Sequence, residues 1–243
     1  MPAALFDGEP ITVRFLDRHG RRRELPVARA AQVPFEELAP LHAPVAYPGR
    51  TSFVTKAWAS ATGQPVVCGS LRQQRCAMLL DRDVEVTARS AGPMELRQPA
   101  AGGALRWVRP DFVALRSGQR EVVRIVPQDA CAQWDVRQDL LRRAADMAGW
   151  RVRTLRSPEG VELDNLQLLY AARSVRQLPV QDAALLVARF TRPRTIRGAV
   201  QAAGLPALAG VDLVYHLIWK RQLHTDMTLP LTPASTAWRT EER

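Results

Sequence analysis

Asp111 stands directly after Pro110 at the head of the run "DFVALR"; a turn, Arg116–Arg120, leads into a second apolar run, Glu121–Val126, that stops at Pro127. An aspartate fixed at the start of a strand can ligate a hard divalent cation. Mg²⁺ takes oxygen ligands in near-octahedral geometry, and on a phosphodiester it neutralises charge and lowers the pKa of the attacking water. That chemistry asks more of the return strand: an acid or amide, one hydrophobic residue, then a basic group to orient the water or stabilise developing charge. The return strand carries Arg124, Ile125 and Val126 there. Arg124 is a permanent cation where a metal ligand should face, and Val126 cannot act on water. Residues 124 and 126 of one strand share a face, so neither is excused by pointing elsewhere. Three readings stay open: a site whose parts have moved, with Glu95, Lys56 or Arg124 itself as substitutes; a site that has lost its chemistry; and an ordinary hairpin whose Asp111 is a turn residue.

The elements around this pair read as follows. Residues 11–30 alternate around Val13 and Phe15, turn at Asp17-Arg18-His19-Gly20, and return through Leu25 and Val27, a hairpin pattern. Residues 33–50 carry Pro34, Pro40, Pro44 and Pro48 and read as an extended arm that wraps rather than packs. Ser70 is placed to cap a helix through "LRQQRCAMLLDRD". Strands are expected at 84–88, 94–97, 105–108, 112–115 and 121–126. A helix over 132–148 stops at Gly149, and a strand at 150–155 and a helix over 163–172 follow. These elements predict an α/β layer with a mixed sheet. Beyond Leu178-Pro179, "TIRGAVQAAGLP" reads as a short helix stopped by Gly204, "GVDLVYHLIWKRQL" as an amphipathic helix, and "HTDMTLPLTPASTAWR" as two short strands. Helix, helix, wing is the order of a winged-helix module; a plain helical cap is the simpler alternative.

The formal net charge is +10 with a pI near 10.8, which favours a polyanionic partner such as nucleic acid. Nearly all of that charge is arginine, and the only lysines are Lys56 and Lys220, a bias that a GC-rich genome, which encodes arginine freely, also produces. Arg21-Arg22-Arg23 could touch phosphates or lie on a solvated turn. Cys68, Cys76 and Cys131 have neither zinc nor disulfide spacing and read as buried thiols. His19, His42, His216 and His224 lack ligand spacing with them, and His216 reads as a helix residue near a core. No apolar run approaches a membrane span and the start lacks a signal-peptide pattern, so a cytoplasmic protein without a membrane anchor is expected. "HLIWKR" presents Trp219, Lys220 and Arg221 either as a partner-binding patch or as part of an ordinary amphipathic helix.

The segments "VPFEELAPLHAPVAYPGR" (33–50), "WASATGQPVVCGSLRQQRCAMLLDRDVEV" (58–86), "RPDFVAL" (109–115), "EVVRIVP" (121–127), "AGWRVRTL" (148–155) and "VDLVYHLIWKRQLHTDMTLPL" (211–231), taken in order, resemble the TnsA-type transposase endonuclease subunits, in particular the actinobacterial TnsA-like group. The resemblance implies an α/β fold: a restriction-endonuclease-like (PD-(D/E)XK) core with a mixed sheet over 51–174, after an N-terminal hairpin and proline-rich arm over 1–50, and a winged-helix-like domain over 175–243. It implies nicking at transposon 5′ ends, with DNA, a transposase subunit and an AAA+ regulator as partners. Carried over residue by residue, its catalytic positions fall on Gly69, Asp111, Arg124 and Val126. Only Asp111 keeps the required chemistry. The expectation is therefore a non-catalytic subunit without cofactor that binds DNA, through Arg21, Arg22, Arg23 and Arg124, and docks on its partners, among which an intact TnsA-like paralogue is a further candidate. An active Mg²⁺-dependent endonuclease with rearranged ligands and a recruited DNA-binding regulator are the alternatives.

Overall fold

A computed structural model describes residues 10–100, 103–129, 132–174 and 180–239. The chain divides into two compact units, one of residues 1–77 and 85–157, the other of residues 78–84 and 158–243.

The first unit opens with the expected hairpin, β1 (Thr12–Leu16) and β2 (Arg22–Pro26). Its turn is held by Asp17, whose Oδ1 accepts from the amides of His19 (3.0 Å) and Arg21 (2.9 Å). The next hairpin, β3 (Thr55–Ala59) and β4 (Gln64–Cys68), has no counterpart in the sequence reading. Its buried positions are Ala57 and Ala59 on β3 and Cys68 on β4, and alanine gives a weak strand signal. After it come α1 (Leu71–Arg82), whose residues from Met78 on belong to the second unit, β5 (Val86–Ala91), β6 (Met94–Pro99), β7 (Leu105–Val108), β8 (Phe112–Arg116), β9 (Gln119–Ile125), α2 (Ala132–Ala148) and β10 (Arg151–Leu155).

These strands do not build one mixed sheet. They build two four-stranded sheets, β2-β1-β6-β7 and β10-β9-β8-β5, while β3 and β4 pair only with each other. In the second, β5 with β8 and β8 with β9 run antiparallel, while β9 and β10 run parallel across α2. The hairpin is therefore no separate N-terminal domain. Val13, Phe15 and Leu96 turn inward to a core shared with Val113, Val122, Leu140, Leu141 and Trp150. The proline-rich segment is corrected in its first half for the same reason. Phe35 is fully buried, edge-on to Phe15 (5.2 Å) and Trp150 (5.5 Å), and Arg120 ties the adjoining Glu36 down at 2.8 Å. From His42 to Gly49 the segment is largely exposed, as an arm would be.

The second unit contains α3 (Gly160–Ala171), α4 (Val180–Arg189), β11 (Arg194–Thr195), α5 (Ile196–Ala202), α6 (Ala207–Trp219), β12 (Leu223–Thr225) and β13 (Thr236–Arg239), with strand order β11-β13-β12. The boundary lies at 157/158 rather than 174/175, because Leu166 and Leu169 of α3 pack in one core with Leu186, Phe190, Val214 and Ile218. Asn165, also on α3 and 3% exposed, clamps the loop between β12 and β13. Its Nδ2 donates to the carbonyls of Met227 (3.1 Å) and Leu229 (2.8 Å), and its Oδ1 accepts from the Leu231 amide (2.8 Å). Gly210 lets α5 and α6 approach closely, since a Cβ there would lie 2.4 Å from Val200 Cγ1. Among the described residues no single helix is long and apolar enough to cross a membrane. Leu178-Pro179 and Cys131 lie outside the described residues.

Candidate functional site

Asp111 enters β8 with most of its polar atoms already engaged. Its N–H donates to the Val123 carbonyl (2.8 Å), and its carbonyl accepts from Gly92 N (3.0 Å) and Gln73 Nε2 (3.0 Å). Its Oδ2 accepts from the Ile125 amide (2.7 Å). Burial pushes this carboxyl above the ordinary carboxylate range, against the Ile125 amide and the Arg124 and Arg72 guanidiniums, which pull it down. The side chain thus ties the head of one strand to the end of the next.

Gly69 sits between β4 and α1, and the fold does bring it to Asp111. The link is Gln73, whose Oε1 accepts from Gly69 N (2.6 Å) while its Nε2 holds the Asp111 carbonyl. Ser70 caps α1 as its position suggests, accepting from the Gln73 amide at 3.1 Å. A Cβ at position 69 would lie in ordinary contact with Arg50 Nη2 (3.4 Å), and the Gly69 carbonyl already accepts from that nitrogen (3.0 Å) and from Ser52 Oγ (3.0 Å). An arginine therefore faces the place where a carboxylate ligand would reach in.

Arg124 lies one register step beyond the Phe112–Val123 pair, so it faces Asp111 across β8 and β9. It is 9% exposed, its guanidinium stacks over the Trp134 ring at 3.8 Å, and Nη1 lies 3.5 Å from Gln138 Oε1. Its place among the DNA-contacting residues is corrected: the charge is spent inside the unit, where Trp134 and Gln138, one turn apart on α2, receive it. Val126 falls just past the end of β9, half-buried, with its N–H on the Leu155 carbonyl (2.8 Å).

Of the substitute groups only Arg124 faces Asp111; Glu95 and Lys56 do not converge on it. Glu95 is on β6, in the other sheet, and its carboxylate is divided between Arg97 (2.5 Å) and Arg109 (2.6 Å); those two guanidiniums hold it below the usual range despite its burial. Lys56 is exposed on β3. Among the described residues no three His, Cys, Asp or Glu side chains gather to hold a metal ion. A Mg²⁺ centre does not fit this arrangement, in which one carboxylate, committed to a backbone amide, faces a guanidinium. Cys68 and Cys76 are free and buried; burial pushes their thiols up to about 11 and about 12, so neither is a reactive thiolate.

The other assigned residues sort by exposure. Arg21, Arg22 and Arg23 are exposed on the first hairpin, with Arg23 paired to Asp17 at 3.0 Å. Trp219 is corrected. It is 2% exposed, with its ring edge-on to Tyr170 at 5.4 Å, so it cannot be a surface anchor. Lys220 and Arg221 end α6 instead. The Arg221 amide donates to Ile218 O (3.2 Å), the Gln222 amide to Leu217 O (3.0 Å), and Arg221 takes φ +61°, a Schellman stop with arginine where glycine is usual. His216 is half-buried, and its Nδ1 meets the Ala172 carbonyl at 2.9 Å; a carbonyl only accepts, so Nδ1 carries the proton.

Sequence reasoning missed Gln73, Trp134 and Asn165. Gln73 and Asn165 act on segments distant in the chain, which no local pattern reveals, and for Trp134 the only local signal is its helical spacing to Gln138. No protein-family model matches the chain, and a search of curated proteins finds no similar one.

Proposed function

We propose that the chain is a non-catalytic, DNA-positioning subunit of a TnsA-like transposition complex, built on a restriction-endonuclease-like core and a winged-helix-like tail. The observation that carries this reading is the state of Asp111. It is linked to Gly69 through Gln73 and stands opposite Arg124, but its carboxylate serves the Ile125 amide. The order α1-β5-β8-β9-α2-β10, with β6 and β7 inserted between β5 and β8 and paired in the other sheet, and its single parallel pair support the core assignment. The order α4-β11-α5-α6-β12-β13, with β11 beside β13, supports the tail assignment.

The tail is better suited to protein contacts than to reading bases. The helix that would enter a groove, α6, reads "ALAGVDLVYHLIW", and most of its side chains from Leu213 to Trp219 are buried. The loop between β12 and β13 contains no arginine or lysine. This favours docking on the transposase, the AAA+ regulator or an intact paralogue over a sequence-specific regulator, and the reading places the protein in the cytoplasm, with its DNA.

The test is incubation of the full chain with supercoiled plasmid and Mg²⁺ or Mn²⁺. No nicking above a buffer control is expected. Nicking that disappears in Asp111→Ala would establish the active-endonuclease reading instead.

A further inference from the structure

The outward face of the β2-β1-β6-β7 sheet is densely charged. Strand register places Arg22 and Glu24 of β2, Arg14 of β1, Glu95 and Arg97 of β6, and Trp107 of β7 on one face, opposite the buried Val13, Phe15, Leu96 and Val108. Arg109, just beyond β7, meets Glu95. The two carboxylates engage Arg14, Arg97 and Arg109 and hold them in fixed positions, which leaves the face with an excess of positive charge. Neighbouring strands lie about 4.8 Å apart, so Arg14 and Arg109, two strands apart, are spaced by roughly 10 Å.

At the β7 edge the character changes. Trp107 is 37% exposed, and two guanidiniums sit against its ring: Arg109 at 4.8 Å and Arg137 of α2 at 4.7 Å. Beside it runs a cavity of about 310 Å³ between β7 and the first turns of α2, with Leu105, Trp107, Val136 and Leu140 as apolar walls and Arg106 and Arg137 as cationic ones. Leu105 and Val136 are 46% and 48% exposed. An apolar slot edged by an indole, with guanidiniums around it, matches a chain that alternates flat bases with phosphates. Base–aromatic contact and arginine–phosphate contact are how single strands are held without sequence preference. The slot is too small for a duplex.

We infer that the β7–α2 face binds single-stranded nucleic acid, with an unpaired base in the Trp107 slot and the flanking phosphates on Arg106, Arg109 and Arg137. The inference deepens the DNA-positioning reading and rests on it: the subunit would hold an unpaired end beside the nuclease-like core. An acidic peptide would use the guanidiniums but leave the apolar walls unfilled.

The experiment is fluorescence anisotropy of the full chain with a labelled oligothymidylate of about twelve nucleotides, a blunt duplex of equal length and a polyglutamate competitor. Each stacked base is worth about 1–3 kcal/mol. Trp107→Ala and, separately, Arg137→Glu should therefore weaken oligothymidylate binding about tenfold or more while changing duplex binding less than about threefold. Both positions are partly exposed, and far-UV circular dichroism checks that the variants fold. Single-strand affinity that is unchanged in both folded variants overturns the inference, and duplex binding that persists leaves the broader reading standing. Displacement of the oligonucleotide by polyglutamate at equal charge overturns it in favour of an acidic protein ligand. Failure of the wild-type chain to bind either DNA at low salt defeats this inference and the broader reading together.

Discussion

Trp219→Ala separates a surface role from a structural one. The indole is 2% exposed within the core of the second unit and packs edge-on against Tyr170. A buried aromatic of this size removes on the order of 250 Å² from water, which at about 25 cal/mol per Å² is an upper bound of about 6 kcal/mol. Alanine keeps a small part of that area, and the surrounding side chains close over part of the cavity; measured truncations of this kind cost about 3–5 kcal/mol. Small domains hold about 5–15 kcal/mol in total, so the variant should lose a large share of its unit's stability. Urea unfolding followed by circular dichroism reads this as a midpoint lowered by more than about 1 M. Lys220→Glu, at an exposed site on the same helix end, should change stability by no more than about 0.5 kcal/mol. A loss below about 1 kcal/mol for Trp219→Ala would refute the packing described for α6 and restore Trp219 as a candidate contact residue.

Arg221→Gly should stabilise the chain by about 1 kcal/mol, since it relieves a left-handed arginine and removes a charge that, after burial, helps hold Arg82 down at about 10 and also lowers His224; a urea midpoint that falls would refute this. Asp111→Ala leaves the Ile125 amide without its acceptor and should cost about 1–3 kcal/mol, whereas Asp111→Asn keeps an acceptor. Because burial raises the folded carboxyl above 3.8, the native state binds the proton more tightly than the unfolded chain. This group's contribution is thus most favourable at low pH and declines as pH rises from 3.8 through the folded value. Asp111→Asn should remove that decline, and a wild-type-to-Asn difference in urea midpoint that does not vary with pH would contradict it. Affinity for duplex DNA should fall by orders of magnitude between about 50 and 200 mM salt as counterions are released; salt-independent binding in anisotropy titrations would exclude a phosphate-led mode.

Local pattern carried the first hairpin, the Ser70 cap, α2 with its Gly149 stop, and the succession of strands around Asp111. Each rests on alternation, caps or turn residues within a dozen positions, and such forces act before tertiary contacts form. The substitutions at 69, 124 and 126 were equally legible, because a missing carboxylate is a matter of residue type. Tertiary structure alone decided where those strands pair. Register across β1 and β6 joins residues about eighty positions apart, and nothing in either strand's own alternation names its neighbour; hence one expected sheet became two. It also decided which cations are surface charge. Arg124 and Arg109 look alike in the chain, yet one is packed on Trp134 and the other lies beside an exposed Trp107. Trp219 shows the same limit. The amphipathic spacing of α6 allowed an exposed indole, but the helix is enclosed on more sides than one apolar stripe implies, because α3, α5 and the β12 segment all pack against it. Burial is set by the number of neighbours an element acquires, and that number is a property of the assembled fold.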